Sequence, residues 1–248
     1  MILDIDAGNT RLKARLTEPA SKSSAGVSFD LTLNAAGDSF THSLADQCGH
    51  LKIERVRIAS VRNSQFNESL ADSVKSALDV EAEFAAVAGS ACGVRNAYND
   101  ITTMGVDRWL AMLEAYRRAR SACCILDCGS AITFDWIDYE GQHQGGFIVP
   151  GIKLMQQSLA EKSSALDLEL DDWVSADPGN STSAAISHGI LAVSIGFASQ
   201  CREILEQRAT QCEWYLTGGD AELISTQLDW EHEVAKDLVL DGLALALP

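Results

Sequence analysis

The residues from Asp6 to Lys13 have the types and spacing that bind a phosphate group and a cation. Gly8 lets the backbone approach a ligand closely, because glycine has no Cβ. The backbone N–H groups around it, the Asn9 amide and the Thr10 hydroxyl form a set of donors for phosphate oxygens. Asp6 suits Mg²⁺, and the Lys13 ammonium suits a phosphate. The alternative interpretation is an ordinary turn in which Asp6 and Asn9 bond to the backbone.

A second turn of the same kind begins at Asp127, about half a chain length after the first. Each turn follows an apolar strand pattern and reads aspartate, any residue, glycine and then a polar residue. The hydroxyls of Ser130 and Thr133 suit further phosphate contacts, and Asp127 suits a cation. One such turn is most simply structural. Two turns at corresponding positions favour a nucleotide ligand and indicate a duplicated domain.

Two adjacent glycines, Gly218 and Gly219, follow the last strand pattern of the chain. A flat ligand such as adenine or ribose is able to lie against backbone that carries no side chains. The alternative is that the pair only marks a turn. Its position as the last strand-to-helix turn of the second half favours the binding interpretation.

Asp107 and Arg108 stand at the start of a strongly helical stretch. A carboxylate there interacts favourably with the helix dipole, so the simplest interpretation is a capping acid beside a surface arginine. The functional alternative is that Asp107 accepts a hydroxyl proton while Arg108 holds a substrate carboxylate through two parallel bonds. Enzymes that phosphorylate a small alcohol need such an acceptor. Spacing alone leaves both interpretations open.

The elements that position these residues alternate between strand and helix patterns. The first half predicts strands at 1–5, 11–16, 27–33, 56–61 and 83–87, and helices near 39–51, 64–78 and 107–120. The second half predicts strands at 122–126, 132–137, 146–149 and 214–217, helices from 151 and 183, and a closing helix. This order predicts an α/β protein of two domains, 1–117 and 118–248, each a mixed sheet flanked by helices.

Composition and charge narrow the function classes. The chain has 46% apolar and 22% charged residues, as a folded globular protein does. Its 19 basic and 35 acidic residues give a net charge of −16, which disfavours binding to nucleic acid or to an anionic membrane. No run of about 18 to 20 apolar residues predicts a membrane span, and the acidic N-terminus does not match a signal peptide.

The number and spacing of the seven cysteines indicate the redox state of the compartment in which the protein resides. Their number is odd, no pair has C-x-x-C spacing, and Cys123 and Cys124 are adjacent in an apolar run. These features predict free thiols in a reducing cytoplasm rather than a disulfide framework or a zinc site.

Five motifs, in this order along the whole chain, resemble those of the type III pantothenate kinase family, part of the acetate and sugar kinase, chaperone and actin superfamily. They are Asp6-x-Gly-Asn-Thr-x-x-Lys13, Gly105-x-Asp-Arg-Trp109, Asp127-x-Gly-Ser-Ala-x-Thr133, Gly145-Gly-x-Ile-x-Pro-Gly151 and Thr217-Gly-Gly-Asp220. The resemblance implies two ribonuclease-H-like domains in an actin-like ATPase duplication, each with a mixed five-stranded sheet flanked by helices.

The resemblance also implies an activity: transfer of the ATP γ-phosphoryl group to the 4′-hydroxyl of pantothenate, the first step of coenzyme A biosynthesis. Mg²⁺, a monovalent cation (K⁺ or NH₄⁺) and a homodimer are implied as well. The implied substrate contacts are Tyr98, Gly105, Val106, Arg108, Thr182 and Asp107, the last also as general base. The nucleotide contacts expected are Asp6, Gly8, Asn9, Thr10, Lys13, Ser130, Thr133, Gly218 and Gly219. The cation ligands expected are Asp6 for Mg²⁺ and Asp127 for the monovalent ion.

Two other functions stay open at this point. A sugar or acyl-phosphate kinase of the superfamily would share both aspartate turns but lack the Gly105-x-Asp-Arg pattern. A non-catalytic accessory regulator would be expected to have lost Asp107, Arg108 or Lys13, and all three are present. The hypothesis carried forward is a cytoplasmic kinase acting on pantothenate and ATP, without nucleic-acid or membrane partners.

Overall fold

The computed structural model of this chain describes residues 1–9, 12–18, 27–31, 37–162, 175–208 and 211–248. Thr10, a predicted phosphate contact, lies outside these ranges. The chain divides into two compact units: unit 1 contains Met1–Glu114 and Asp237–Pro248, and unit 2 contains Ala115–Lys236.

The secondary-structure elements are numbered in chain order. They are β1 (Ile2–Ala7), β2 (Leu12–Glu18), β3 (Val27–Leu31), α1 (Gly37–Cys48), β4 (Arg55–Ser60), α2 (Ser64–Leu78), β5 (Ala82–Phe84), β6 (Ser90–Ala91), β7 (Val94–Arg95), a 3₁₀ turn (Ile101–Thr103), α3 (Val106–Ala119), β8 (Cys123–Cys128), β9 (Ala131–Ile137), β10 (His143–Pro150), α4 (Ile152–Lys162), α5 (Thr182–Gln207), β11 (Glu213–Thr217), α6 (Ala221–Ser225), β12 (Glu233–Val234) and α7 (Leu238–Ala246).

Unit 1 is built on a mixed sheet with the strand order β3-β2-β1-β4-β5. The strands β1, β2 and β3 are antiparallel neighbours, whereas β4 runs parallel to β1 and β5 runs parallel to β4. Leu3 and Ile5 of β1 are fully buried and belong to a core that includes Leu44 of α1 and Val74 of α2. This alternation places the next polar residue, Asp6, at the carboxyl end of the central strand.

A buried ion pair holds the end of the chain against the unit 1 sheet. Arg57 of β4 donates two hydrogen bonds to Asp4 of β1, at 2.7 and 2.9 Å, and both side chains are buried. The same guanidinium donates to the Leu247 carbonyl at 2.8 Å. Arg15 of β2 forms a salt bridge with Asp241 of α7 at 2.5 Å. Because buried charges need partners, these bonds favour one position for α7.

Unit 2 repeats the sheet of unit 1, with the order β10-β9-β8-β11-β12. The strands β8, β9 and β10 are antiparallel neighbours, whereas β11 runs parallel to β8 and β12 runs parallel to β11. In the described part of the chain, the predicted fold class is confirmed: two mixed five-stranded sheets flanked by helices, related by duplication.

One face of α5 packs into the core of unit 2 through residues that include Ile190, Ala198, Cys201 and Leu205. The helix is 26 residues long and has a window of mean hydropathy 1.3, so it meets the length and composition test for a membrane span. This result rests on mean hydropathy and does not contradict the predicted absence of a run of about 18 to 20 apolar residues, because polar residues such as Ser187 and His188 interrupt the helix. One such helix is weak evidence for a membrane span, because the core helix of a soluble protein has the same length and hydropathy, and one face of α5 packs into the core of unit 2.

The last quarter of the chain differs most from prediction. A single closing helix is predicted after β11, but the structure has α6, β12 and α7 there. The β6–β7 hairpin is also absent from the predicted elements. The C-terminal segment belongs to unit 1, because Arg57 and Arg55 donate to the carbonyls of Leu247 and Pro248. The compact units therefore differ there from the predicted domains 1–117 and 118–248.

Candidate active site

The turn after β1 lies where three strands of unit 1 meet. In the sheet register Asp6 is opposite Lys13 of β2, and Ala7 is opposite Ser60 of β4. Because β1 and β4 are parallel, the segments that follow them leave the sheet at the same edge, where ligands bind in open α/β sheets. Gly8, the first residue after β1, is half-buried at that edge.

Arg62, two residues after β4, binds this turn directly. Its Nη1 donates to the Asn9 carbonyl at 2.7 Å and lies 3.5 Å from the Gly8 carbonyl. The guanidinium also lies over the Phe66 ring, 4.4 Å from the centroid. We did not predict Arg62 from the sequence. The available signal is the parallel pairing of β1 and β4, which places the second residues after both strands side by side.

The Asp6 carboxyl has a pKa raised to about 7. Burial is the largest cause, and the negative charge of Asp107 adds to it, whereas the Lys13 ammonium lowers the pKa. The end of β1 and the start of α3 therefore bring two carboxylates close enough to repel each other. Such a pair is stabilised when a cation binds to it.

This pair fits Mg²⁺, which takes one or two protein carboxylates and completes its shell with water and phosphate oxygens. Within the described ranges, no group of three or more histidine, cysteine, aspartate or glutamate residues is placed to hold a metal. A Mg²⁺ ion at Asp6 would therefore take its remaining ligands mainly from water and nucleotide phosphates.

The start of α3 combines a structural and a chemical feature. Oδ1 of the half-buried Asp107 accepts the backbone N–H of Arg108 at 2.7 Å, in the first turn of the helix. A Cβ on Gly105 would lie 2.5 Å from the same oxygen, so a side chain there would displace the carboxylate. The local backbone therefore fixes where the Asp107 carboxylate lies.

Arg108 is buried, at 6% exposure, so the interpretation of this residue as a surface charge is wrong. Its Nη1 donates to the Tyr98 hydroxyl at 2.8 Å, and its guanidinium lies 5.7 Å from the centre of the Tyr98 ring. Val106, also a predicted substrate contact, is buried at the start of α3. Unit 1 thus brings together Tyr98, Gly105, Val106, Asp107 and Arg108.

The turn after β8 in unit 2 occupies the position of the β1 turn in unit 1. In the register Asp127 is opposite Thr133 of β9 on one side and opposite Thr217 of β11 on the other. The Ser130 carbonyl accepts the Gly151 N–H at 3.1 Å, which joins this turn to the end of β10. We did not predict a role for Thr217, although its place at the end of the strand next to β8 was the available signal.

Gly218 approaches the same turn from β11. Its φ is +91°, and a Cβ there would overlap Oδ1 of Asp127 and lie 2.5 Å from the carbonyl carbon of Cys128. The Asp220 N–H donates to the Cys128 carbonyl at 2.9 Å. Gly219 is exposed beside it. The three family motifs of unit 2 therefore meet around Asp127.

The structure groups one predicted residue differently. Thr182 is the exposed first residue of α5 in unit 2, where Ser181 caps the helix by accepting the Ala184 N–H at 3.1 Å. The other predicted substrate contacts, from Tyr98 to Arg108, belong to unit 1. Thr182 and those residues therefore belong to different units.

Two solved structures share this duplicated fold. A Campylobacter jejuni protein assigned to the Baf family of transcriptional activators has a TM-score of 0.56 and 22% identity, covering 98% of this chain and 95% of that chain. A Sinorhizobium meliloti protein described as a 2-dehydro-3-deoxygalactonokinase has a TM-score of 0.55 and 11% identity, covering 100% and 96%. The class that these likenesses define is one of fold: the duplicated actin-like fold.

The sequence relatives give the family within that class. The profile of the family described as type III pantothenate kinase matches residues 2–204. The type III pantothenate kinase of Ectopseudomonas mendocina (strain ymp) is 36% identical over 255 residues, covering 100% of this chain and 99% of that protein. The chain belongs to the type III pantothenate kinase family.

Proposed function

We propose that this chain transfers the γ-phosphoryl group of ATP to the 4′-hydroxyl of pantothenate, the first step of coenzyme A biosynthesis. Membership of the family supports the substrate and the reaction. The observation that carries the proposal is the cluster in unit 1, where Arg108 bonds to Tyr98 and a half-buried Asp107 lies next to it.

Asp107 is the general base in this proposal. A hydroxyl that attacks phosphorus transfers its proton to a group within hydrogen-bond reach, and a fixed carboxylate is suited to that role. Arg108 pairs with the carboxylate of pantothenate through parallel N–H bonds, and Tyr98 orients the guanidinium. Gly105, Val106 and Thr182 are the remaining proposed substrate contacts.

The ATP phosphates bind to the two aspartate turns. Catalysis of phosphoryl transfer rests mainly on positioning and on charge neutralisation, and Lys13 supplies a positive charge opposite Asp6. The proposed ATP contacts are Asp6, Gly8, Asn9, Thr10 and Lys13 in the first turn and Ser130, Thr133, Gly218 and Gly219 in unit 2. Asp6 would hold Mg²⁺, which would supply positive charge to offset that of the phosphate oxygens.

A monovalent cation, K⁺ or NH₄⁺, binds at Asp127 in this proposal. The carboxylate lies in register between two threonines, Thr133 and Thr217, and Gly218 packs against its Oδ1. Oxygen donors of this kind suit a hard cation. In a chain with a net charge of −16, a bound cation also reduces repulsion of the triphosphate.

A coupled ADP-release assay tests the reaction and the cation together. The full chain receives Mg·ATP and pantothenate in K⁺ and then in Na⁺, with glucose and acetate as control acceptors. We expect ADP release that depends on pantothenate and is faster in K⁺. ADP release with a control acceptor only, or no ADP release from folded protein, would contradict pantothenate as the substrate. Equal rates in K⁺ and Na⁺ would contradict the monovalent cation at Asp127 but would leave the proposed reaction unaffected.

A homodimer is supported by exposed apolar side chains on unit 2. They are Phe147 and Ile148 on the edge strand β10, Leu154 and Leu159 on α4 and Val193 on α5, each between 46% and 60% exposed. Exposed apolar surface beside an unpaired strand edge is typical of an interface between subunits. Light scattering after gel filtration measures the state, and we expect Ile148→Asp to lower the mass from dimer to monomer. A monomeric wild-type chain would contradict the proposal.

We also propose a cytoplasmic protein without nucleic-acid or membrane partners. The seven free cysteines and the strongly acidic charge support this. Flotation with anionic vesicles and fluorescence anisotropy with duplex DNA at low salt test it. We expect no binding in either, and co-flotation would instead assign the apolar surface or α5 to a membrane.

A further inference from the structure

Two thiols of unit 2 lie unusually close together. The Sγ atoms of Cys124 and Cys212 are 2.9 Å apart. Cys124 is fully buried in β8, and Cys212 is half-buried in the segment that enters β11. In the register Cys124 is opposite Trp214, so Cys212 lies two residues before its partner position.

We propose that Cys124 and Cys212 form a reversible intramolecular disulfide when the protein meets a hydroperoxide. This modification is independent of the phosphoryl-transfer function. The pairing is specific because successive side chains of a strand point to opposite faces, so the adjacent Cys123 points away from the face that Cys124 shares with Cys212. Cys201 also lies in that core but is fully buried on α5.

The exposure and the pKa values of the two thiols indicate which of them reacts first with the hydroperoxide. The hydrogen bond from Cys124 lowers the pKa of the Cys212 thiol, whereas burial raises the pKa of Cys124. The thiolate is the reactive form, so the half-exposed Cys212 is the sulfur that meets the oxidant. Cys124 remains a protonated thiol within reach of it.

The reaction proceeds in two balanced steps. The Cys212 thiolate attacks one peroxide oxygen, the O–O bond breaks, and the released alkoxide takes a proton and leaves as an alcohol (water from hydrogen peroxide). Cys212 is then a sulfenic acid. The Cys124 sulfur attacks the Cys212 sulfur, the S–O bond breaks, and the hydroxide combines with the Cys124 proton as water. Two thiols are oxidised and one hydroperoxide is reduced.

The disulfide would join two neighbouring strands near their amino ends. The carboxyl ends of the same strands carry Asp127 and Thr217. The bond closes a loop between positions 88 residues apart, which restricts the unfolded chain and stabilises the folded unit. We therefore expect oxidised protein to have a higher Tm than reduced protein, with the difference abolished by dithiothreitol.

Peptide mapping tests the proposal on the full chain. A Cys92→Ser background removes an exposed thiol that would react between molecules. The protein is treated with equimolar hydrogen peroxide, the remaining thiols are blocked with N-ethylmaleimide, and trypsin is added without reductant. We expect peptide 121–153 joined to peptide 209–236, and separation of the two by dithiothreitol.

Three further variants assign the bond to its sulfurs. We expect Cys123→Ala to retain the cross-link, because its thiol lies on the other face. Cys124→Ala should lose the link and leave a sulfenic acid on Cys212, which dimedone labels. If Cys124→Ala does not fold, the double variant Cys123→Ala, Cys128→Ala decides, since Cys124 is then the one cysteine left in peptide 121–153 and the link must be retained. Absence of the link in folded Cys92→Ser protein, its loss in the folded double variant, or its persistence in folded Cys124→Ala would overturn the proposal.

Discussion

Unit 1 and unit 2 share one sheet order, but the turns at the ends of their central strands differ in charge. Asp6 in unit 1 is opposite Lys13, whereas Asp127 in unit 2 is opposite Thr133. The first turn thus places an ammonium beside its carboxylate, and the second places a neutral hydroxyl. The duplicated turn therefore carries a different charge in the two units.

The buried positions of the two sheets also differ in charge. Asp4 pairs with Arg57 across β1 and β4, and the corresponding positions across β8 and β11 are Ile125 and Tyr215. Unit 1 has a buried ion pair that also binds the C-terminal segment, whereas unit 2 has apolar contact at this point. The duplicated backbone therefore tolerates different interiors as long as each buried charge is paired.

The largest effect is expected from Asp107→Asn, which keeps the size of the side chain but removes the proton acceptor. Loss of a general base lowers kcat by about 10²- to 10⁴-fold. ADP affinity, measured by titration calorimetry, should stay nearly unchanged. The control is Asp79→Asn at the exposed end of α2, where asparagine suits the left-handed backbone. Near-wild-type turnover in Asp107→Asn would contradict the proposed role of Asp107 as the general base.

A second variant, Lys13→Thr, gives unit 1 the residue that unit 2 has at the matching position. Removing one preorganised donor to a developing charge costs about 10²-fold in kcat. We expect that loss together with a higher KM for ATP in steady-state kinetics. Lys52→Thr, an exposed lysine of the same unit, is the control. Equal kinetics in both variants would mean that the charge difference between the turns has no functional role.

Gly218→Ala tests the close approach to Asp127. A positive φ and overlap with Asp127 together cost of order 1–3 kcal/mol, so we expect the KM for ATP to rise about tenfold. Gly145→Ala has a similar φ of +98° but nothing within 4 Å of its Cβ, so it isolates backbone strain. If both variants raise KM equally, contact with Asp127 is not the cause.

The smallest effect is expected from Arg62→Ala, which removes the bond from the guanidinium to the first turn. The lost hydrogen bond has a charged donor at an exposed position. We therefore expect the KM for ATP to rise about threefold to tenfold and the KM for pantothenate to stay unchanged. Arg202→Ala is a matched control, because Arg202 also lies over an aromatic ring, at 4.9 Å from the centre of the Trp230 ring. A fall in Tm without the KM difference would indicate a purely structural role.

Elements with strong periodicity could be predicted from the sequence. The apolar strand patterns of β1 and β8 and the helical spacing of α2 predicted the sheets and the duplication. The two aspartate turns could also be predicted, because in each an aspartate and a glycine directly follow an apolar strand pattern. The grouping of residues 105–108 was also predictable, because these residues are neighbours in the sequence.

Contacts between distant segments were not predictable in this way. The C-terminal segment joins unit 1 through an arginine whose bond to the Leu247 carbonyl spans 190 residues, and no local pattern indicates it. The approach of Arg62 to Asn9 depends on which strands are neighbours and in which direction they run. The strand β12 has only two residues, too few to show an alternation.

The most direct test of the central claim is to identify the phosphorylated atom of the product. The full chain is incubated with Mg·ATP and pantothenate, and the product is analysed by phosphorus and proton NMR. We expect a phosphate ester whose phosphorus couples to the 4′-methylene protons. A phosphate on the carboxyl group or on the secondary hydroxyl, or no phosphorylated pantothenate from folded protein, would contradict the assignment of Arg108 to the carboxylate and Asp107 to the 4′-hydroxyl.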